Sequence, residues 1–279
     1  MSATAQLPGP PAPADLASRA GRASFGGALR SEFTKIRSVR STYWTLLALT
    51  VVTIGIGALA CVGAASRPQD VRGPFFDPTQ HSLVGLVLGQ LIIVVLGALT
   101  VTSEYSTGMI RTSLTVQPRR GTVLAAKGVV FTAVALVTGL VASFASFFIG
   151  QAILSGKHLN ASLGDPGVLR AVIGGGLFLA VCGMLAFGLG TLLRHTAAAI
   201  SACIGLLFVL FVLVNALPSS WQDHVDKWIP FNAGSQIWST VSPPGQPHMF
   251  APWTGFAVFT GYAVIAVIAG AVTFLKRDA

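Results

Sequence analysis

The chain has 279 residues, of which 53% are hydrophobic and only 10% are charged, with a net charge of +9. Soluble domains carry roughly 25% charged residues, so the composition excludes a sizeable soluble domain. It predicts a multi-pass membrane protein with a single membrane domain.

The predicted domain organisation has two parts. Residues 1–27 are expected to form a disordered cytoplasmic tail, because they are rich in Pro, Ala, Gly and Ser and lack the apolar core of a signal peptide. Residues 28–279 are expected to form a six-helix transmembrane permease domain.

The segment 28–44, ALRSEFTKIRSVRSTYW, carries apolar residues on one helical face and Ser and Thr opposite. This pattern predicts a helix lying in the membrane interface. Arg40 and Glu32 fall in or near the apolar arc, and Glu32 has no evident route to water. The alternative is an ordinary basic flank of the first span. The residues of interest in this helix are Glu32, Phe33, Ile36, Arg37 and Arg40.

Six apolar segments are long enough to cross a bilayer, and they are too uniformly apolar for barrel strands. The fold class is therefore all-α integral membrane. The predicted spans are Trp44–Ala65, Ser82–Thr102, Val123–Gln151, Ala171–Leu193, Ala197–Leu217 and Trp253–Leu275.

The distribution of basic residues predicts the orientation. If the N-terminus is cytoplasmic, thirteen of the 18 lysine and arginine residues fall on the inner side. Cytoplasmic loops carry an excess of lysine and arginine, so both termini are expected inside. Basic charge placed in this way needs no nucleic-acid partner to explain it.

The last outer connection, Pro218–Pro252, has an unusual composition for a solvent loop. It carries Trp221, Trp228 and Trp238, and aromatic side chains prefer the membrane interface. The segment is therefore predicted to fold back onto the membrane or to re-enter it.

The sequence lacks central charges in its predicted spans and several motifs of membrane enzymes and ATPases. No span has a charged residue at its centre, since Lys127 and Arg170 lie at span edges, and this argues against a proton-coupled carrier. There is no P-loop, no H-E-x-x-H and no G-x-S-x-G motif. The triplet Gly174–Gly176 is expected to allow close helix packing.

Two polar residues inside spans are candidates for a substrate path. Gln90 lies near the middle of the second span, and Asn215 lies near the outer end of the fifth. The alternative for each is an interhelical hydrogen bond.

The stretch Ser103–Arg120, SEYSTGMIRTSLTVQPRR, separates the second and third spans. On a helical wheel, Tyr105 and Met109 belong to one apolar stripe and Ile110 and Leu114 to another, with polar residues between them. A short amphipathic cytoplasmic helix is predicted, ended by a proline. Its apolar surface needs either a partner protein or an anionic lipid surface to cover it.

Three segments together resemble a type-2 ABC exporter permease, the membrane subunit of an ABC transporter. They are EFTKIRSVRSTYW before the first span, SEYSTGMIRTSLTVQPRR after the second, and WIPFNAGSQIW in the last outer loop. The resemblance implies that two permeases pair, as a homodimer or heterodimer, and that each binds a cytoplasmic ATPase that carries ATP and Mg. It also implies a connecting helix at the N-terminus, a coupling helix after the second span and a re-entrant last outer loop.

Residue roles follow from this resemblance. Tyr105, Met109, Ile110 and Leu114 would dock in an ATPase groove. Glu104 would anchor the loop to the connecting helix through Arg37 or Arg40. The residues that would orient the ATPase contact are Arg111, Arg119 and Arg120.

The expected function is the permease subunit of an ATP-driven exporter, with no enzymatic activity or cofactor of its own, in the bacterial plasma membrane. Sparse polarity in the spans favours an amphipathic or apolar substrate. The alternatives are a membrane scaffold or sensor that recruits a cytoplasmic partner, and a passive channel.

Overall fold

The structure is a computed structural model that describes residues 25–71, 73, 76–106, 120–216, 218–241 and 249–277. Within these residues the regular secondary structure is entirely helical. Six of the described helical segments are long and apolar enough to cross a membrane. The six predicted spans are therefore confirmed, with ends shifted by a few residues.

The first half of the chain supplies an amphipathic helix and three spans. Helix α1 ends at Ser38, and Val39 has extended backbone (φ −86°, ψ 108°) that separates it from the first span. The predicted tail lies mostly outside the described residues, but the helix itself already begins at Phe25. The helices are α1 (Phe25–Ser38), α2 (Arg40–Ser66), α3 (Pro68–Val71), α4 (Pro78–Leu83), α5 (Leu86–Ser106) and α6 (Arg120–Ser155).

The second half supplies three further spans and a folded connection. The fifth span contains a π-helical stretch, Gly205–Val209, between α8 and α9. Short 3-10 turns, Asp226–Trp228 and Gln236–Trp238, follow α10 and α11. The helices are α7 (Val168–Leu193), α8 (Thr196–Ile204), α9 (Leu210–Asn215), α10 (Ser219–Val225), α11 (Pro230–Ser235) and α12 (Pro252–Arg277).

Helix α7 is the centre of the bundle. Its most apolar window is 78% buried within the chain, against 22% for the first and fifth spans. It packs against α5, α6 and α12. Many large apolar side chains of the first and fifth spans are exposed, as expected for surfaces that face lipid or another helix.

Glycines on α7 make this central position sterically feasible. A Cβ atom added at Gly176 would lie 2.8 Å from the backbone nitrogen of Leu140, and one at Gly188 would lie 2.6 Å from the carbonyl carbon of Ala266. Both distances are too short for any side chain. The predicted packing role of Gly174–Gly176 is confirmed, because each glycine faces a neighbouring element at close range.

Polar contacts between helices identify two opposite ends of the bundle, here named the α1 end and the distal end. At the α1 end, α1 meets the C-terminal end of α5 and the first turns of α6. Arg194, just after α7, also donates to the carbonyl oxygen of Thr273 near the end of α12 there. At the distal end lie the start of α4, the start of α7 and residues 229–241. The assignment of the α1 end to the cytoplasm stays a prediction.

The last connection is folded against the bundle where it is described. Ile237 and Trp238 are buried, whereas Trp221 and Trp228 are about half exposed or more. Phe178 of α7 packs against the rings of Phe231, Trp238 and Phe259. Entry of this segment into the bilayer stays a prediction.

Candidate coupling site

The predicted coupling segment lies between two described helices. Residues 107–119, which include Met109, Ile110, Arg111, Leu114 and Arg119, are outside the described residues. Arg120 is described as the first residue of α6, without its side chain. The structure therefore describes only the two flanks of this segment. Glu104 and Tyr105 lie on the first flank, at the end of the second span.

Both flanks are held by one group of four charged side chains, here named the charge cluster: Glu32, Lys35, Glu104 and Lys127. The Nζ atom of Lys127 lies 2.7 Å from Oε2 of Glu32 and 2.7 Å from Oε1 of Glu104. Lys35 Nζ lies 2.9 Å from Oε1 of Glu32 and 3.2 Å from Oε1 of Glu104. Two carboxylates and two ammonium groups alternate, so the cluster is neutral as a whole.

Three members of the charge cluster are removed from solvent. The side chains of Glu32 and Lys127 are 6% and 7% exposed, and that of Glu104 is 13% exposed. Lys35 is more open, at 37%. Because an isolated charge is costly to bury and a paired one much less so, the members depend on one another. Removing one buried partner of such a pair typically costs about 3–5 kcal/mol.

The pKa values of the two α1 members move in opposite directions. Burial alone would raise the pKa of Glu32, but the ammonium groups of Lys127 and Lys35 outweigh it and hold that pKa below its ordinary value. Burial alone would lower the pKa of Lys35, but its contacts with Glu32 and Glu104 raise it above its ordinary value. Both groups are thus held in their charged forms.

The local sequence of α1 explains how the cluster forms. Ala28 and Glu32 are buried and four residues apart, and Lys35 follows three residues later, so all three share the inward face. Phe33 lies on another face and is 53% exposed, and Ile36 is half-buried. Phe33 therefore points away from the bundle, Ile36 is partly covered, and the inward face carries the ionic contact that gives Glu32 its partner.

The predicted pairing of Glu104 with Arg37 or Arg40 is wrong: Glu104 pairs with Lys35 and Lys127. Arg37 is two residues after Lys35, which is about 200° around a helix, and it is exposed on the outer side. Arg40 begins α2 beyond the break at Val39 and is also exposed. The predicted anchoring of Glu104 to α1 is present, through a different cation.

Lys127 is the residue whose role the sequence did not reveal. Helix α6 begins at Arg120, so Lys127 lies seven residues, or about 10 Å, along it. A lysine at this depth in an apolar span indicates a buried anionic partner, and Glu32 is a carboxylate without an evident route to water. Neither the lysine nor the carboxylate by itself identifies the ion pair between Lys127 and Glu32.

A second set of contacts joins the end of α5 to the rest of the α1 end. The guanidinium carbon of Arg194 lies 5.3 Å from the ring centroid of Tyr105, and its Nη2 donates to Thr273 O over 3.1 Å. Thr196 Oγ1 donates to Thr102 Oγ1 over 2.8 Å. The residues before the coupling segment therefore contact α1, α6, α8 and the polar turn that contains Arg194.

The two candidate substrate-path residues lie apart. Gln90 is fully buried beside α7, where its Oε1 faces Cys182 Sγ at 3.8 Å. Its Nε2 has no hydrogen-bond partner among the described residues. Asn215 is exposed, and its side chain donates to Phe211 O in the preceding turn over 2.7 Å. Neither residue bonds to the other among the described residues, and their role in a substrate path stays a prediction.

In the described ranges, no group of three or more His, Cys, Asp or Glu side chains could hold a metal ion. What the charge cluster can do is mechanical, because it ties three helices together on both sides of one loop.

The sequence profile of one family, described as ABC-2 family transporter protein, matches residues 29–279. The match covers most of α1, all six spans and the predicted coupling segment. A search of curated proteins found no significant match to the chain.

Proposed function

The chain belongs to the ABC-2 family of transporter membrane proteins, and we propose that it is the permease subunit of an ATP-driven exporter. The ATP and its Mg would be bound by a separate cytoplasmic ATPase, since this sequence has no P-loop. As a family member the chain is a membrane transport component. The direction of transport, the ATPase partner and pairing with a second permease belong to the proposal.

The observation that supports this proposal is the position of the charge cluster. Glu104 is two residues before the end of α5, and Lys127 lies in the second turn of α6. Both are bonded to α1, which carries Glu32 and Lys35. A force applied to residues 107–119 would reach α1 and the second and third spans together, as coupling of an ATPase to transport requires.

Within the coupling segment, Met109, Ile110 and Leu114 would dock in a groove of the ATPase, together with Tyr105. Helix-in-groove contacts of this kind depend on a few apolar anchors. Arg111, Arg119 and Arg120 would orient the contact. The charge cluster would keep both flanks of the docked segment in register with α1, the proposed connecting helix.

The proposed substrate is amphipathic or apolar. The described span residues at mid-depth are almost all apolar, and a sugar or ion path would need convergent polar groups. Alternating access between inward- and outward-facing states would move such a substrate across the plasma membrane. The chain alone would neither bind nor hydrolyse ATP.

The test is purification of the full-length tagged chain from its native host in a mild detergent, followed by identification of what co-elutes. We expect a P-loop ATPase in stoichiometric amount and nucleotide hydrolysis only in the fractions that contain it. A partner without a P-loop would support the scaffold or sensor hypothesis instead. Co-elution of no partner, with ion flux through vesicles that contain the chain alone, would support a passive channel.

A further inference from the structure

A cavity of about 630 Å³ lies between the third and sixth spans at the α1 end. Helices α6 and α12 touch each other little, because α7 lies behind both and separates them. The floor is formed by Met184 and Phe187 of α7, and the walls by residues such as Gly128 and Ala271. The volume is within the range of ligand-binding pockets, about 300–1,000 Å³.

The lining of this groove excludes water as its occupant. Among the described residues that line it, Thr132 carries the one polar side chain, and the others are glycine or apolar. A buried water needs two to four polar partners, and apolar cavities stay dry. Facing the lipid, such a groove takes up hydrocarbon or the side chains of another protein segment.

The length of the groove suits a hydrocarbon chain. Along α6 the groove runs from Gly121 to Leu136, which is about 22 Å at 1.5 Å per residue. The hydrocarbon core of a bilayer is about 30 Å thick, so one leaflet is about 15 Å deep. The groove is therefore long enough to hold an acyl chain through the depth of one leaflet.

The charge at the mouth of the groove indicates the headgroup. Leu275 and Gly121 line the end of the groove at the α1 end. Lys276, the next residue of α12, is exposed. In the sequence Arg120 precedes Gly121 and Arg277 follows Lys276, so three basic residues occur at this end. Basic residues near a membrane surface attract anionic lipids.

We propose that this groove binds one anionic phospholipid, with an acyl chain between α6 and α12 and its phosphate at Lys276. The lipid would fill the gap that α7 leaves between the third and sixth spans. The site is separate from the proposed ATPase contact and does not depend on it. Each basic residue near an anionic surface contributes about 1 kcal/mol, which is about a fivefold preference for an anionic over a zwitterionic lipid.

The experiment uses the full-length chain purified in a mild detergent with equal amounts of phosphatidylglycerol and phosphatidylcholine that share the same acyl chains. Native mass spectrometry counts each lipid retained per chain. We expect retention of phosphatidylglycerol over phosphatidylcholine by at least about fivefold, which is the contribution of Lys276 alone. Lys276→Glu should lower this preference by at least about fivefold while an acyl chain is still retained.

Two larger side chains should fill the groove without changing its helices. Ala125 and Ala133 line the groove and are exposed, so Ala125→Leu with Ala133→Leu should reduce retained lipid by about tenfold. Ala257→Leu, at an exposed position of α12 outside the groove, is the matched control and should retain lipid normally.

Three results would overturn the proposal. The first is equal retention of the two lipids by the unmodified chain, and the second is unchanged lipid retention in the filled variant. The third is a filled variant that keeps its lipid but loses self-association, since a second copy would then be the occupant. If the filled variant fails to fold, the Lys276→Glu result decides alone.

Discussion

The two ends of the bundle are held by different kinds of polar contact. At the α1 end, the charge cluster joins side chains to side chains across α1, α5 and α6, and Arg194 adds one bond to the backbone carbonyl of Thr273. At the distal end, the charged side chains of Asp77 and Arg170 bind backbone groups only. Asp77 Oδ2 accepts from the amides of Thr240 and Val241 over 2.6 and 3.0 Å. Arg170 donates to the carbonyl oxygens of Gln236, Ile237 and Ser239.

This difference indicates what each end can do. Side chain-to-backbone bonds fix an irregular segment whose amide and carbonyl groups need partners, so residues 236–241 are held in one conformation. A lysine is a compact point charge on a flexible stem. The charge cluster can therefore keep its pairing while helices shift slightly. The α1 end is suited to transmitting a movement, and the distal end to resisting one.

Lys127→Met should produce the largest effect, because it leaves Glu32 and Glu104 buried with only the half-exposed Lys35 as counter-charge. The expected loss is about 3–5 kcal/mol of stability. Thermal unfolding in detergent measures it. Arg67→Met, at an exposed arginine just after α2, is the matched control. Equal melting temperatures of the two variants would show that the charge cluster does not stabilise the bundle.

Asp77→Asn should loosen the distal end and leave the α1 end unchanged. Hydrogen bonds to a charged group contribute about 1.5–3 kcal/mol, so the amides of Thr240 and Val241 should exchange hydrogen more than tenfold faster. Asp165→Asn is the control, since Asp165 accepts from an exposed loop amide, that of Ser162. Loss of the ATPase from the Asp77→Asn chain would contradict the separation of the two ends.

Exchanging the charges of Glu104 and Lys127 should cost less stability than the sum of the two single changes. Each single change, Glu104→Lys or Lys127→Glu, makes the contact between positions 104 and 127 repulsive, whereas the double variant makes this contact attractive again, although Lys35 and Glu32 then face like charges. Contacting residues show coupling energies of about 0.5–3 kcal/mol. Melting temperatures of the full cycle measure this energy. Glu104→Lys combined with Arg67→Glu should show no coupling, because Arg67 is exposed at the far end of α2. Equal coupling energies in the two cycles would contradict the contact between Glu104 and Lys127.

The pH dependence should be the smallest effect. The pKa of Glu32 lies below its ordinary value of 4.5 when folded, so the stability it contributes is present above that value and is lost as the pH falls through the folded pKa. The pKa of Lys35 lies above its ordinary value of 10.5, so its contribution is lost only at higher pH. The melting difference between the unmodified chain and Glu32→Gln should therefore be constant from about pH 6 to 8 and narrow in acid. A melting difference that already becomes smaller near neutral pH would contradict a lowered pKa of Glu32.

Hydropathy was sufficient to predict the six spans, because a span is a local property of about 20 residues. The role of Gly174–Gly176 was also predictable, since small residues permit close packing. The charge cluster was not, because it depends on the rotation of α1, α5 and α6 about their axes. Glu104 therefore pairs with Lys35 and Lys127, and not with Arg37 or Arg40 as the sequence predicted.

The most direct test of the central claim is co-purification of the ATPase with Ile110→Asp and Leu114→Asp. Each change would place a carboxylate in the proposed apolar contact, and several kcal/mol of association should be lost. Arg22→Asp is the control for a charge change outside that segment. We expect both variants to insert in the membrane and to lose the ATPase, while Arg22→Asp keeps it. Retention of the ATPase by both variants, as tight as by the unmodified chain, would contradict the coupling assignment.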